Sequence, residues 1–209
     1  MGSEGPEADL ADGEGPVHQV TLAPFLIEAT TVTNAAFSTF VEATGHVTDA
    51  EREGWSFVFA GLLPKAKARK KRRQGRDVAG LEWWLGLEGA CWKKPLGPGS
   101  DLRRLEDHPV VHVSWNDAAA YAAWADRRLP TEAEWEYASR GGHEGRIFPW
   151  GNDLEPGGEH RCNVWQGAFP NQNTLADGHF GTAPVRTFPP NDFGLFQTIG
   201  NVWEWCVDY

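Results

Sequence analysis

Arg128-Leu129-Pro130-Thr131-Glu132-Ala133-Glu134-Trp135-Glu136-Tyr137-Ala138-Ser139-Arg140-Gly141-Gly142 specifies one short helix almost completely. Pro130 fixes the approach and Thr131 can cap the helix N-terminus. Glu134, three residues on, completes a capping box. Trp135 and Ala138 then share a face, and Gly141 is a natural stop. The three carboxylates at Glu132, Glu134 and Glu136 alternate, so a helix points them in different directions. Glu134 is already explained by capping, and the trio does not suggest acid–base chemistry.

The same logic extends outward. Residues 33–44 read as a helix capped by Thr33, with Phe37, Phe40 and Val41 as its apolar stripe and Gly45 as its stop. Ser114, with Asp117 at the third position, opens an alanine-rich helix through Ala118, Tyr121, Ala122 and Ala125, preceded by a short apolar run at 110–113. Residues 17–27 alternate loosely and predict a strand with Val20 and Leu22 on one face. Residues 1–16, 60–82 and 86–109 read as loops. After residue 140 helical periodicity almost vanishes, and loops of that length inside a compact domain are usually functional or tied by metal. The expected fold class is α+β: one compact, loop-rich domain over residues 1–209 with little regular secondary structure.

Composition agrees. The 24 Gly and 14 Pro argue against a helical bundle, and 11 Trp with 11 Phe supply large apolar areas that can hold irregular segments together. A formal net charge of −10 offers no broad positive field for nucleic acid. The exception is 65–76, where eight of twelve residues are Lys or Arg; it reads as a solvated, mobile loop. Three scattered cysteines, Cys91, Cys162 and Cys206, do not form a disulfide framework, and each reads as a buried or incidental thiol. No segment has the length of a membrane span and no leader is evident, so the reading is cytoplasmic. His108 and His112 stand four apart, but Pro109 between them argues against a helical metal face, and both read as structural.

A second phrase, Gly200-Asn201-Val202-Trp203-Glu204-Trp205, is aromatic, starts on Gly, and fits neither a helix nor an alternating strand. With the first phrase it resembles the formylglycine-generating enzyme family, the sulfatase-modifying factors. Phe57-Val58-Phe59, Glu82-Trp83-Trp84-Leu85, the run from His108 to Ala118, Phe148-Pro149-Trp150-Gly151, Asn163-Val164-Trp165-Gln166-Gly167 and Phe193-Gly194-Leu195 match in family order over nearly the whole chain. The resemblance implies a fold related to C-type lectin-like folds. It also implies oxidation of a protein cysteine to Cα-formylglycine, an oxidoreductase activity dependent on copper and oxygen. The implied partner is a sulfatase polypeptide carrying Cys-x-Pro-x-Arg, and the complete protein is expected to be a monomer.

The resemblance further implies structural calcium. One site would use Asn163, Val164, Asp177 and His179, the first and third through side chains and the others through carbonyls. A second would use Gln197, Gly200, Val202 and Glu204, with Gln197 where the family usually has Asn. Oxygen donors of these types suit a hard cation. Ser56, Trp83 and Trp203 match positions of the substrate cleft. Two departures stand out. Trp55 replaces an Asp of catalytic members, as in a non-catalytic paralogue. No residue matches the family's closely spaced copper-binding cysteines, which follow the Gly-Asn-Val-Trp-Glu-Trp phrase, so no catalytic residue is assigned. The chain therefore reads as an internal portion of such a protein, and a non-catalytic peptide-binding module on the same scaffold is the alternative. A related iron-dependent sulfoxide synthase would need a further helical domain and a His-rich motif, and neither is found in the sequence.

Overall fold

The computed structural model describes residues 1–6 and 8–208. Four of its α-helices form where side-chain caps place them. Helix α1 spans Asn34–Thr44, with the Thr33 hydroxyl accepting from the Ala36 N–H at 3.2 Å. Helix α2, Asp49–Glu53, has a Thr48/Glu51 capping box. Helices α4, Trp115–Trp124, and α5, Glu132–Arg140, carry the predicted boxes Ser114/Asp117 and Thr131/Glu134. Gly141 ends α5 in the left-handed region at φ 63°, where a side chain would be strained.

Asp117 does more than cap its own helix. Fully buried, it accepts from the N–H groups of Asp49 and Ser114 and from His46 Nε2, so one carboxylate ties the starts of α2 and α4 together. A buried carboxylate is stable only when hydrogen-bonded this fully.

A three-stranded antiparallel sheet, order β1-β3-β2, joins Trp55–Phe59 (β1), Asp77–Val78 (β2) and Leu81–Glu88 (β3). In its register Ser56 faces Leu87 and Val58 faces Leu85. Val58, Leu85 and Leu87 are buried with Ala60, Leu63, Ala68 and Ala90. Because side chains alternate along a strand, Trp55, Phe57 and Phe59 point to the other face. A separate aromatic core under α1 packs Phe37 edge-on against Phe40 and Trp92, both at 5.3 Å between centroids, with Val41 and Tyr121 around it.

Three expectations are corrected. The basic stretch is not a loop: Lys65–Arg73 forms helix α3. Lys, Arg and Ala are good helix formers, and Ala68 anchors one side in the sheet core. The loop expected over 60–82 also contains β2 and a turn of 3-10 helix at Ala60–Leu62. Residues 17–27 form no strand, and Val17, Val20 and Leu26 are exposed. Alternation makes a strand only where a neighbouring strand pairs with its backbone groups; His18 pairs with Met1, but no ladder continues from it among the described residues. Beyond α5 the described chain has one short 3-10 turn, Pro156–Gly158, and otherwise irregular backbone, as the lost periodicity indicates. The fold is α+β and loop-rich.

The α5 cap generates a test. Both guanidinium NH2 groups of Arg128 reach the two Glu134 oxygens at 2.7 Å and the Thr131 N–H adds a third bond, which holds the Glu134 pKa down to about 2. A depressed carboxylate contributes stability above its unfolded pKa and loses it as pH falls toward the folded value. Arg128 is largely exposed, so solvent screens much of the ion pair. Glu134→Ala is expected to cost about 1 kcal/mol at pH 7, a fall in Tm of roughly 2–4 °C. The gap to wild type should close between pH 4.5 and 2, as read by denaturation at each pH.

Candidate functional site

The irregular segment after α5 holds itself together through side-chain amides. Asn163 lies on one loop and Gly200–Asn201 on another, and the two loops meet at an isolated parallel bridge between Asn163 and Gly200. Asn201 donates its backbone N–H to the Asn163 carbonyl at 2.9 Å. Its side chain then acts as a small strand. Oδ1 accepts from the Ala183 N–H at 2.8 Å and Nδ2 donates to the Ala183 carbonyl at 3.2 Å. Oδ1 also accepts from Asn163 Nδ2, which donates in addition to the Gly181 carbonyl at 2.8 Å. The neighbouring Gly200 has φ 75°, and a Cβ there would collide with the Asn163 carbonyl oxygen, so only glycine fits.

Of the first expected calcium set, Asn163 sits in this knot. Asn163 spends both amide hydrogens on protein partners, which leaves its oxygen as the group available to a cation. Asp177 accepts from the His179 N–H through Oδ1 at 2.9 Å. Its Oδ2 is buried with no hydrogen-bond partner among the described residues. The Val164 carbonyl accepts from Gln166 Nε2 at 2.5 Å. A buried carboxylate oxygen without a donor is costly, and a hard cation would supply what it lacks. In the second set Gln197 has the same signature: Nε2 donates to the Pro184 carbonyl at 2.6 Å, while Oε1 is buried and unpaired. The rest of that set is less free. The Gly200 carbonyl accepts from the Val202 N–H, and Glu204 Oε2 accepts from the Trp135 indole at 3.1 Å. Desolvation around the Glu204 carboxyl pushes it up to about 7, against the pull of that indole, although the residue as a whole is exposed. Among the described residues no three His, Cys, Asp or Glu side chains converge as a metal cluster. Both candidate sets would therefore rely on amide and backbone oxygens.

The thiols do not suit copper. All three cysteines are free, and Cys91 and Cys162 are buried. Burial pushes Cys162 and Cys206 up to about 11, with nearby carboxylates adding to it. Copper(I) takes thiolates, which these environments disfavour.

Of the expected cleft residues, Trp83 and Trp203 join one aromatic surface. Trp83 meets Phe169 at 5.0 Å, Phe169 stacks on Phe59 at 6.0 Å, Phe59 meets Trp84 at 6.2 Å, and Trp84 meets Trp203 at 6.2 Å. Trp165 packs beside Phe59 and Phe169. Trp203 is 91% exposed, an unusual position for an indole. Ser56 lies further along the sheet, bonded to His112 at 2.9 Å. Trp55 stacks edge-on with Phe57 at 5.0 Å and adds indole where a carboxylate was the alternative. The segment carrying Trp203 is pinned by indoles: Trp205 Nε1 donates to the Val113 carbonyl and Trp115 Nε1 to the Cys206 carbonyl. Sequence reasoning missed Asn201, Phe59, Trp165 and Phe169 as site-builders. For Asn201 a signal existed in the Gly-Asn turn pair. For the aromatics nothing local separates surface from core.

A profile described as "Sulfatase-modifying factor enzyme 1-like domain" matches residues 1–209. A formylglycine-generating enzyme from Thermomonospora curvata is 56% identical over 210 residues, covering 100% of this chain and 68% of that protein. An inactive C-alpha-formylglycine-generating enzyme 2 from Bos taurus is 49% identical over 208 residues, covering 99% of this chain and 66% of that protein. The solved structure of PvdO from Pseudomonas aeruginosa superposes with TM-score 0.59 at 30% identity, over 93% of this chain and 61% of that one. The chain spans 55% to 68% of the length of four curated formylglycine-generating enzymes that it matches.

The knot at Asn201 makes a specific demand. Asn201→Ala removes the partners of Ala183 and of Asn163 Nδ2 and leaves a non-glycine residue at φ 62° without the amide that favours it. It is expected to cost about 2–4 kcal/mol in chemical denaturation. Asn201→Gly, which relieves only the backbone, should recover less than half of that loss.

Proposed function

The chain belongs to the sulfatase-modifying factor family, and from that premise we propose that it supplies the peptide-binding surface for Cα-formylglycine formation. The substrate would be an extended sulfatase segment containing Cys-x-Pro-x-Arg, bound across Ser56, Trp83 and Trp203. The observation that carries this reading is the continuous aromatic surface from Trp83 through Phe169, Phe59 and Trp84 to the exposed Trp203. Exposed indoles stack on peptide planes and on proline while keeping an N–H as a handle, and they exclude water around the bound cysteine. Calcium at the Asn163 loop would stiffen the segment that presents this surface, and Asp177 Oδ2 is the atom that favours it. Copper supplies oxygen activation in the family's reaction. The cysteines of this chain do not suit that metal, and no step is assigned to them.

A second reading is favoured by Trp55. A non-catalytic peptide-binding module would keep the aromatic surface and dispense with the redox centre. The inactive Bos taurus relative, nearly as similar as the active ones, is consistent with this. Among the described residues no helix is long and apolar enough to cross a membrane. Work in the cytoplasm on newly made sulfatase is part of the proposal.

Peptide titration followed by tryptophan fluorescence tests the surface. A Cys-x-Pro-x-Arg peptide is expected to bind residues 1–209, and Trp203→Ala to weaken it about tenfold. Equal affinity in the variant would remove the proposed surface. With copper(I) and oxygen present, mass spectrometry should find no aldehyde above a metal-only control. Turnover would show that these cysteines do hold the metal.

Calcium at saturating concentration should raise Tm by roughly 5 °C relative to chelator, since a ligand at 100 times its Kd adds about 2.7 kcal/mol. Asp177→Ala should abolish that shift. Identical melting curves with calcium and chelator would exclude the site.

A further inference from the structure

His112 makes two hydrogen bonds that together fix its chemistry. Its Nε2 lies 2.9 Å from the Pro95 carbonyl oxygen, and its Nδ1 lies 2.9 Å from Ser56 Oγ. A carbonyl oxygen can only accept, so Nε2 carries the ring proton. In the neutral ring Nδ1 is then an acceptor, and the Ser56 hydroxyl must be the donor. Burial keeps the ring neutral by lowering its pKa, with the Pro95 carbonyl pulling weakly the other way. His112 also sits at φ 60°, a backbone region that non-glycine residues seldom occupy and that concentrates at functional positions.

The consequence lies at Ser56. A free serine hydroxyl rotates and can either donate or accept. Here its hydrogen is committed to His112, so what remains for any third partner is oxygen lone pairs. Ser56 is partly exposed on β1, and alternation puts its side chain on the sheet face of Leu87, Leu85 and Trp83, opposite the rings of Trp55 and Phe57. We infer that His112 is a positioning residue that locks Ser56 as an acceptor-only group. The segment it selects is therefore one that offers an N–H there, namely a backbone amide of an extended peptide. A peptide carbonyl at the same point would meet lone pairs and be rejected.

This role differs from that of a general base. Taking the Ser56 proton would leave a cation in an enclosed site, with only a neutral carbonyl on the second nitrogen. The arrangement therefore holds a hydrogen in place and does not activate a nucleophile. The inference rests on the peptide-surface reading for Ser56. The tautomer of His112 does not depend on that reading.

The experiment has two arms on the full chain. Nitrogen-15 NMR of the His112 ring should find Nε2 protonated and Nδ1 bare; protonation at Nδ1 would overturn the inference. Binding of a Cys-x-Pro-x-Arg peptide is then compared in four variants. Ser56→Ala and His112→Phe should each weaken binding about tenfold. His112→Asn should bind as wild type, because Asn tolerates positive φ and places an acceptor oxygen where Nδ1 stood. One backbone N-methyl position in the peptide should carry a penalty in wild type and His112→Asn that vanishes in Ser56→Ala. Wild-type affinity in a folded His112→Phe protein, or an N-methyl penalty unchanged by Ser56→Ala, would overturn the inference. If Ser56→Ala and Trp83→Ala both bind normally while the tautomer is as expected, the peptide surface itself is wrong and the inference falls with it.

Discussion

Every buried backbone N–H and C=O needs a partner, and this chain has little regular structure to provide one. The sheet has only three strands, and the long stretch after α5 contributes none to it. Asparagine side chains take over. Asn201 pairs with Ala183 as a neighbouring strand would. Asn191 donates to the Ala138 and Ser139 carbonyls at the end of α5 and accepts from Phe193 and Leu195. Asn34 donates its side-chain amide to the Leu105 carbonyl and its backbone N–H to the His108 carbonyl. An amide offers both donor and acceptor on a short arm, so it can copy a backbone group where no backbone reaches.

That solution leaves buried oxygens over on Asn34 and Ser139 and, beyond α5, on Asp177 and Gln197; these last two bear on the site. They stand on the loops that the Asn163–Asn201 knot joins or on its approach. The same loops carry Trp165, Phe169 and Trp203 into the aromatic surface over β1 and β3. Polar satisfaction, the proposed cation and the proposed peptide surface are therefore one mechanical problem. Loosening the knot would move the rings that the peptide is proposed to touch.

The helices were legible because each cap is local. Thr33, Ser114 and Thr131 find their partners within three residues, and Gly45 and Gly141 mark the stops. Helix α3 was hidden by its charge: seven cations in nine residues resemble a solvated tail, and only the burial of Ala68 against the sheet shows otherwise. The strand expected at 17–27 had the right alternation and no partner for its ladder, which alternation cannot reveal. The β1 and β3 strands escaped because apolar residues stand on both of their faces and blur the period of two: Val58 opposes Trp55, Phe57 and Phe59 in β1, and Trp83 opposes Trp84 in β3. At the candidate site, Asn163 and Asp177 were named by family order, whereas the orphaned oxygen on Asp177 is visible only in three dimensions. His112 read as structural from its neighbours in sequence, and its bond to Ser56 spans 56 positions that no local pattern connects.

Hydrogen exchange of backbone amides in calcium and in chelator tests the whole account most directly. The account predicts that calcium protects amides between Asn163 and Glu204, with the strongest effect around Asp177, Ala183 and Asn201. Amides of α1 and β3 should exchange at the same rate in both conditions. Equal exchange across 163–204 with and without calcium, or protection spread evenly over the chain, would contradict the claim that one cation-braced, amide-stitched segment presents the aromatic surface.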